Sequence, residues 1–415
     1  MSTASLEELL ASTETAAPEE EDETPAEVTA EAPPEPELAS AKAAYNFVVW
    51  LNKLFSRLYK TPQHLRTHLD MIKILAIFLV LLNHTGGRLF TMYTQETSAV
   101  LQWLMLAHAS FIKMAVPLFF MCSGALLLGR EEPYSRLLSK RVMRFVVLLV
   151  VVSVITYLGN ATEEKPATLL GFLSAFYRGK ISTHLWYLYN YICFLLSAPF
   201  LRKIAAKMRD MDFYWLIVLV LIEKLVLFAD YFFFRGQESH IWSFTFFSTG
   251  RFFLYPLLGY YMDNKLSEKK YTFDVFFVLL AATVVALHLT CVAKQWVCDV
   301  EGGWSSNVET YLDSLVVIPS ITVFHGFKLW MKRAPASPRL AKALYLIGSY
   351  TFGVYLFEGF FRKWTYDVYA LLKPVLGIYF AAWVHMLAAL LLGLALTFVY
   401  KTLTGLVTEG RKSHP

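Results

Sequence analysis

The chain has 415 residues, of which 56% are hydrophobic, 16% aromatic and only 17% charged. An average soluble domain carries about a quarter charged residues, so this composition excludes a soluble globule, a coiled coil and a disulfide scaffold. The net charge is +5, but the first 40 residues hold 12 of the 33 acidic residues and none of the 38 Lys and Arg. The remainder is basic and very apolar, which indicates a multipass membrane protein.

Two segments precede the apolar part of the chain. Residues 1–44 are rich in Glu, Pro, Ala and Thr, which predicts a disordered acidic cytosolic tail, either dispensable or used for docking. The tail lacks the basic start and apolar core of a secretory signal. Residues 45–66 place apolar side chains at helical spacing with basic ones between them. This pattern predicts a basic amphipathic pre-membrane segment in contact with anionic membrane lipids.

Ten apolar stretches of about 20 residues follow, each long enough to cross a ~30 Å hydrocarbon core. They predict an all-α polytopic membrane helical bundle of about ten transmembrane helices, because barrel strands are only about 10 residues long. The second span contains Lys113 and Pro117, which predicts a tilt, a kink or a separate outer helix. The spans are placed near 69–88, 100–128, 142–160, 184–201, 213–234, 244–262, 272–293, 311–330, 341–361 and 376–400.

Orientation follows from the distribution of Lys and Arg. With the N-terminus inside, the inner segments hold 25 of these residues and the outer loops hold 9. Both termini are therefore predicted to be cytosolic. The transmembrane domain is assigned to 67–405 and a short cytosolic tail to 406–415, which leaves about 15 residues after span ten, too few for a second domain.

Span one carries a polar stripe. Lys73 and His84 are eleven residues apart, which brings them within about 20° of one helix face, and Asp70 lies about 40° from His84. Charged groups inside a membrane are costly and usually face the bundle interior or a wet cavity. Imidazole exchanges protons near neutral pH, so His84 is a candidate general base, with helix-end packing as the alternative.

Other polar positions are open to two interpretations. Ser123 precedes Gly124 in an apolar helix, where small residues usually serve close packing. Arg141 and Arg144 share a helix face and suit phosphate groups, or they anchor the inner surface. Further intramembrane polar groups are left unassigned, most of them structural or cavity-lining: His108, Lys113, Glu223, Lys224, Arg251, His288, Asp313, His325 and His385.

Aromatic and polar residues that could contact a ligand lie near the outer ends of spans four and nine. His184, Trp186 and Tyr187 predict either a wall facing a sugar or acyl group or an ordinary interfacial aromatic belt. Glu358 either pairs with a base, meets the acceptor or faces water at the interface.

The four cysteines and the ten histidines show no spacing typical of a metal site, so no metal is expected. Cys291 and Cys298 flank the outer end of span seven, where a disulfide bond is possible on an oxidising side. Spacing alone does not fix their separation.

These motifs, taken in order, resemble acyltransferase family 3, which includes bacterial surface-polysaccharide O-acetyltransferases. The resemblance runs from about 67 to 400. Asp70, Lys73 and His84 fill the places of the family's acid, arginine and histidine in helix one, with lysine in place of arginine. Segment 117–129, PLFFMCSGALLLG, resembles the helix-two signature, and Arg141-Val142-Met143-Arg144 matches the RxxR pair. Residues 184–188, His-Leu-Trp-Tyr-Leu, resemble the helix-four entry, and Phe357-Glu358 stands where many members have a histidine after Tyr-Leu.

The resemblance implies an O-acyltransferase of the bacterial cytoplasmic membrane, without an attached extracytoplasmic domain. Acyl-CoA, usually acetyl-CoA, is the implied donor and a glycan or lipid-linked sugar the acceptor, with no nucleic acid involved. The donor is expected to bind at Arg141, Arg144 and Ser123, with its phosphates at the two arginines. The acceptor is expected near His184, Trp186, Tyr187 and Glu358. Ten spans with buried charges also fit a transporter or flippase, and a third interpretation is a membrane sensor or scaffold that uses the acidic tail.

Overall fold

The computed structural model describes residues 65–84, 97–161, 166–179, 181–234, 250–301 and 313–410. These ranges contain helices and turns and no strand, and residues 62–399 form one compact unit. The predicted acidic tail, 1–44, lies outside the described residues. So does the predicted pre-membrane segment, 45–66, apart from its last two residues.

Eleven α-helices of nine or more residues occupy the described ranges. Each of the ten predicted spans overlaps one of them, whereas α5 was not predicted because nine residues are too few to span a membrane. The helices are α1 (Thr67–His84), α2 (Ala99–Phe111), α3 (Ala115–Leu127), α4 (Met143–Gly159), α5 (Leu169–Tyr177), α6 (Trp186–Lys207), α7 (Asp210–Phe234), α8 (Gly250–Tyr260), α9 (Phe273–Glu301), α10 (Val317–Arg333) and α11 (Pro338–Gly410).

Six helical segments of the described ranges are long and apolar enough to cross a membrane. This confirms the all-α membrane fold, whereas the count of ten spans and the cytosolic position of both termini stay predictions. The six are Thr67–His84, Ala99–Leu127, Tyr134–Gly159, Phe273–Val300, Pro338–Arg362 and Trp364–Thr404.

Two long apolar segments are interrupted where the sequence breaks the helical hydrogen-bond ladder. Between α2 and α3, Ile112–Met114 form a 3₁₀ turn. Pro117 follows and cannot donate to the Lys113 carbonyl four residues earlier. This is the interruption predicted for span two. In α11 the backbone turns at Gly377, whose φ of 72° suits glycine, three residues after Pro374.

Helices α3 and α8 pack backbone against backbone. A Cβ at Gly124 would overlap the Pro256 carbonyl group, and one at Gly259 would overlap the Met121 carbonyl group. Small residues permit this approach, and van der Waals contact then stabilises the pair without a hydrophobic driving force. The packing interpretation of the Ser123-Gly124 pair is therefore correct for Gly124.

All four cysteines are free thiols. Cys291 and Cys298 lie seven residues apart on the continuous helix α9, which separates them by about 10 Å along its axis. A disulfide requires Cα atoms within about 7 Å. The possible bridge is therefore excluded by the helix itself.

Asp263, just beyond α8, forms an ion cluster that ties α1, α3 and α10 together. Its carboxylate accepts a hydrogen bond from Arg66 Nη1 at 2.6 Å, lies 2.7 Å from His68 Nε2 and 3.7 Å from Lys328 Nζ. Arg66 also donates to the Ala125 carbonyl at 3.0 Å. Burial opposes ionisation, but the His68 contact and the charges of Lys328 and Arg66 hold the pKa of Asp263 below its usual value.

Candidate active site

A cavity of about 690 Å³ lies among α1, α3, α6 and α11. On α1 its lining runs from Lys73 to His84, about 16 Å along the helix. Its polar lining residues are Lys73, Asn83, His84, Lys113, Ser123, His184, Ser349, Thr351 and Arg362, and its aromatic ones include Phe119, Phe145, Trp186, Tyr187, Tyr191, Phe352 and Tyr355. The cavity therefore joins the polar stripe of α1 to the aromatic entry of α6.

His84, Glu358 and Arg362 form a hydrogen-bonded chain at one end of this cavity. His84 Nδ1 lies 3.3 Å from Glu358 Oε2. Arg362 donates to both carboxylate oxygens, through Nε at 2.8 Å and Nη2 at 2.7 Å. Glu358 is buried, so the water-facing interpretation of this acid is wrong. A carboxylate held by a guanidinium and aimed at an imidazole fixes the ring and stabilises its protonated form.

Asp70 and Lys73 form a separate ion pair about three turns from His84. Lys73 Nζ lies 2.6 Å from Asp70 Oδ1. Asp70 is buried against α11, where a Cβ at Gly348 would come within 2.9 Å of its carboxylate, whereas Lys73 lines the cavity. Asp70 thus orients Lys73 and packs α1 on α11, while Lys73 is placed to meet a ligand.

His184 is wedged between α6 and α11. Its Nδ1 lies 2.6 Å from Ser182 Oγ, and its backbone carbonyl accepts a hydrogen bond from the Tyr355 hydroxyl. A Cβ at Gly359 would overlap the imidazole, so this glycine makes room for the ring beside Glu358. His184 lines the cavity but is only 4% exposed. Its packing therefore positions the part of α11 that carries Glu358.

The two aromatic residues at the start of α6 differ in how far they are exposed. Tyr187 is buried and stacks on Tyr191 at 5.8 Å between ring centroids. Trp186 is 39% exposed and also lines the cavity, so it combines a cavity contact with an outer surface. Both are placed to contact a ligand in the cavity.

The arginine pair lies outside the cavity lining. Arg141 Nε donates to Glu132 at 2.8 Å, and Arg202 and Arg136 lie 3.5 and 3.7 Å from the same carboxylate. Burial opposes ionisation, but these arginines hold the pKa of Glu132 below its usual value. Arg144 is exposed.

The arginine pair nevertheless lies close to the cavity along the chain. Phe145, which lines the cavity, lies one turn beyond Arg141 on the same helical face. Ser123 also lines the cavity, with its hydroxyl donating to the Phe119 carbonyl at 2.9 Å. A ligand that fills the cavity therefore needs to extend only about one turn to meet Arg141.

Sequence reasoning missed Arg362, which it counted as an outer-loop base, and left Lys113 unassigned. The spacing of Glu358 and Arg362, four residues apart, is the signal that pairs an acid with a base on one helical face. That spacing could have identified the ion pair. The approach of Glu358 to His84 joins residues 274 positions apart, which no local pattern reveals.

Comparison with protein families bears on whether the chain is an enzyme, a transporter or a scaffold. The family model described as an acyltransferase domain, that of acyltransferase family 3, matches residues 66–402. The chain belongs to acyltransferase family 3. No curated protein and no solved structure gives a match.

Family membership and the helical architecture together make the protein a membrane-associated acyltransferase. The matched range contains α1 to α10, most of α11 and the whole cavity. Within the described part of this domain, the His84–Glu358–Arg362 chain places a hydrogen-bonded imidazole on the cavity wall.

Proposed function

We propose that the protein transfers an acyl group, normally acetyl, from cytosolic acyl-CoA to a hydroxyl of a glycan or glycolipid. The observation that carries this proposal is the His84–Glu358–Arg362 chain at a cavity long enough for an extended thioester arm. General-base activation of a hydroxyl requires an imidazole whose orientation and charge are supported by a second group. Glu358 and Arg362 supply that support.

His84 is the proposed general base. With the Nδ1 proton directed at Glu358, the other ring nitrogen is available to take the hydroxyl proton of the acceptor. The acceptor oxygen then attacks the thioester carbonyl, and the departing CoA sulfur receives the proton. A covalent acyl-histidine is a second route, because imidazole is also a nucleophile.

The donor is proposed to enter from the inner side. Its phosphates would meet Arg141 and Arg144 at the surface, since guanidinium groups bind phosphate oxygens in pairs. The pantetheine arm would pass Ser123 and Lys73 on its way to His84. These three residues line the cavity, whereas the two arginines lie outside its lining. Asp70 contributes by holding Lys73.

The acceptor is proposed to approach from the outer side, past Trp186 and Tyr187, in a bacterial cytoplasmic membrane. Aromatic side chains offer flat apolar faces, and Trp and Tyr are enriched where membrane meets water. His184 and Glu358 are buried behind this entry. They are expected to shape the acceptor site by positioning rather than by extensive direct contact.

The experiment is transfer of radiolabelled acetyl from acetyl-CoA in membranes that contain the protein and its glycan acceptor. His84→Ala should fold normally and lose transfer by about 10²–10⁴-fold, the usual contribution of a general base. His288→Ala, which removes an exposed histidine of α9, is the matched control and should keep full activity. Full activity of His84→Ala would remove His84 from the mechanism, and acceptor movement without modification would favour the transporter.

A further inference from the structure

Glu132, in the connection between α3 and α4, binds arginines from two parts of the chain. Its carboxylate accepts hydrogen bonds from Arg141 Nε at 3.1 and 2.8 Å, and Arg202 Nη2 lies 3.5 Å away. The side chain of Glu132 is 8% exposed. Arg136 approaches only to 3.7 Å with a side chain that is 65% exposed, so it lies at the margin. The two closer guanidinium groups carry twice the charge of the carboxylate that they share, which favours an anion of higher charge at this position.

Arg202, which sequence reasoning did not single out, is fixed against the end of α3. Its Nε donates to the Leu127 carbonyl at 3.0 Å. This carbonyl is one of the last of α3, which lack a donor within the helix. The Arg202 side chain is 12% exposed, and its Nη2 is buried and makes no hydrogen bond within the described residues. A buried donor without an acceptor is costly, so Arg202 gains from an anion that offers more acceptor oxygens than Glu132 gives it.

Both arginines adjoin the cavity at the end that lies away from His84. Leu126, which precedes the residue whose carbonyl binds Arg202, lines the cavity. Phe145, one turn beyond Arg141, lines it as well. This end of α3 packs against the start of α1, whereas His84 ends that helix. An anion held by the two arginines therefore lies at the opposite end of the cavity from the proposed general base.

Two local features allow this site to change when a ligand arrives. Leu137–Val142, which include Arg141, form a π-helical turn. Such turns are rare and occur frequently at functional sites. Glu132 lies within residues 130–133, which are not helical. Its carboxylate can therefore move away from the arginines without the unwinding of a helix.

We propose that Arg141 and Arg202 bind the 3′-phosphate of the acyl-CoA donor, and that Glu132 holds the place of this phosphate until the donor displaces it. This inference rests on the proposed transfer from acyl-CoA. The 3′-phosphate is a phosphomonoester, which carries about 1.5 to 2 negative charges at pH 7, so it matches two guanidinium groups better than one carboxylate does. Its oxygens accept hydrogen bonds from both guanidinium forks at once. The diphosphate of the donor is left to the exposed Arg144 on the next turn.

The test measures equilibrium binding of CoA and of 3′-dephospho-CoA, which lacks only this phosphate, to the full-length protein in lipid nanodiscs. The wild type should bind CoA more tightly by about tenfold or more, the contribution of a charge-assisted hydrogen bond. Arg202→Met should raise the Kd for CoA by about tenfold and leave the Kd for 3′-dephospho-CoA unchanged. Arg209→Met removes an arginine shortly after α6 whose side chain is 84% exposed, and this control should keep both Kd values.

Glu132→Gln gives a prediction whose sign separates displacement from a structural role. Removal of the competing charge should lower the Kd for CoA by about threefold, whereas loss of a carboxylate that only orients Arg141 would raise it. The Kd for 3′-dephospho-CoA should stay at its wild-type value. Glu131→Gln removes the same charge from the adjacent exposed position and should leave both Kd values unchanged.

Three results would overturn the inference: equal Kd values for the two ligands in the wild type, unchanged CoA binding or an equal loss for both ligands in Arg202→Met, and weaker CoA binding by Glu132→Gln. Where Arg202→Met does not fold, the wild-type comparison of the two ligands and the Glu132→Gln result decide. Acetyl transfer by a protein that binds both ligands equally would contradict this inference alone. Absence of both acetyl transfer and CoA binding would instead overturn the proposed function as a whole.

Discussion

The Asp263 cluster and the Glu358 site are both buried carboxylates that bind a guanidinium and an imidazole, yet they differ in what surrounds the bases. At Asp263, Arg66 also binds the Ala125 carbonyl, and Lys328 donates to the backbone carbonyls of Met262 and Asp263 at 3.0 Å each. Arg66 and Lys328 are thus held by backbone as well as by the acid, whereas the hydrogen bond of the His68 ring within the described residues goes to Asp263.

At the second carboxylate the imidazole is left available to a ligand. Within the described residues, the His84 ring makes its one hydrogen bond to Glu358, and it lies on a cavity wall. A buried acid is therefore weak evidence of function by itself. What separates the cluster that we propose to be catalytic from the structural one is the position of the imidazole, because His84 lines the cavity and His68 does not.

The largest expected effect comes from a substitution in the Glu358 site, which we propose to be catalytic. Glu358→Gln should lower kcat by about 10³–10⁴-fold, because an amide neither stabilises the imidazolium nor fixes its tautomer. The kcat is measured per folded molecule, because the amide keeps only one of the two hydrogen bonds from Arg362 and the unfolding temperature in detergent should fall as well. Glu131→Gln, at an exposed position, is the control; equal kcat in the two variants would place Glu358 among the structural acids.

A substitution in the Asp263 cluster should change the stability of the protein and not its rate of acyl transfer. Asp263→Asn should lower the free energy of unfolding by about 2 kcal/mol, since an amide loses the charge-assisted hydrogen bonds that the carboxylate makes with Arg66 and His68. The kcat per folded molecule should stay at the wild-type value. Thermal unfolding and acetyl transfer measured on the same preparation separate the two quantities, and a rate loss without a stability loss would contradict the assignment.

The effect of Asp263→Asn on stability should depend on pH, in a direction set by the pKa of Asp263. The pKa of Asp263 is lowered in the folded protein, so its contribution is fully present above the ordinary Asp value of about 3.9. This contribution disappears as the pH falls through the lowered folded-state pKa. The stability difference between wild type and Asp263→Asn should therefore be constant near neutral pH and shrink below about pH 4.

Patterns within a single segment of the sequence, such as apolar length and helical periodicity, were enough to predict part of the fold. Apolar length predicted the helical membrane fold, and Pro117 predicted the break in the second span. The polar stripe of α1 likewise follows from helical periodicity, so His84 and Lys73 were found as cavity residues.

Contacts between distant segments were not predictable from one sequence. Asp263 and Gly259 look ordinary in the sequence, because their partners lie on helices that only the folded bundle brings near. Glu358 was ambiguous for the same reason, since an acid near the end of a span faces water as often as a partner. Its meaning depends on the packing of α11 against α1.

The smallest expected effect concerns a third charged cluster, around Glu132. It lies next to an exposed arginine that we propose to bind the donor. Arg141 binds Glu132, whereas Arg144 is exposed one turn further along. Arg144→Ala should raise KM for acetyl-CoA about tenfold by removing one charge-assisted phosphate contact, with unchanged KM for the acceptor. Arg136→Ala is the matched control, because it removes an arginine of the same segment whose side chain is 65% exposed. If both variants shift donor KM equally, the effect is general surface charge and the donor phosphates do not bind at Arg144.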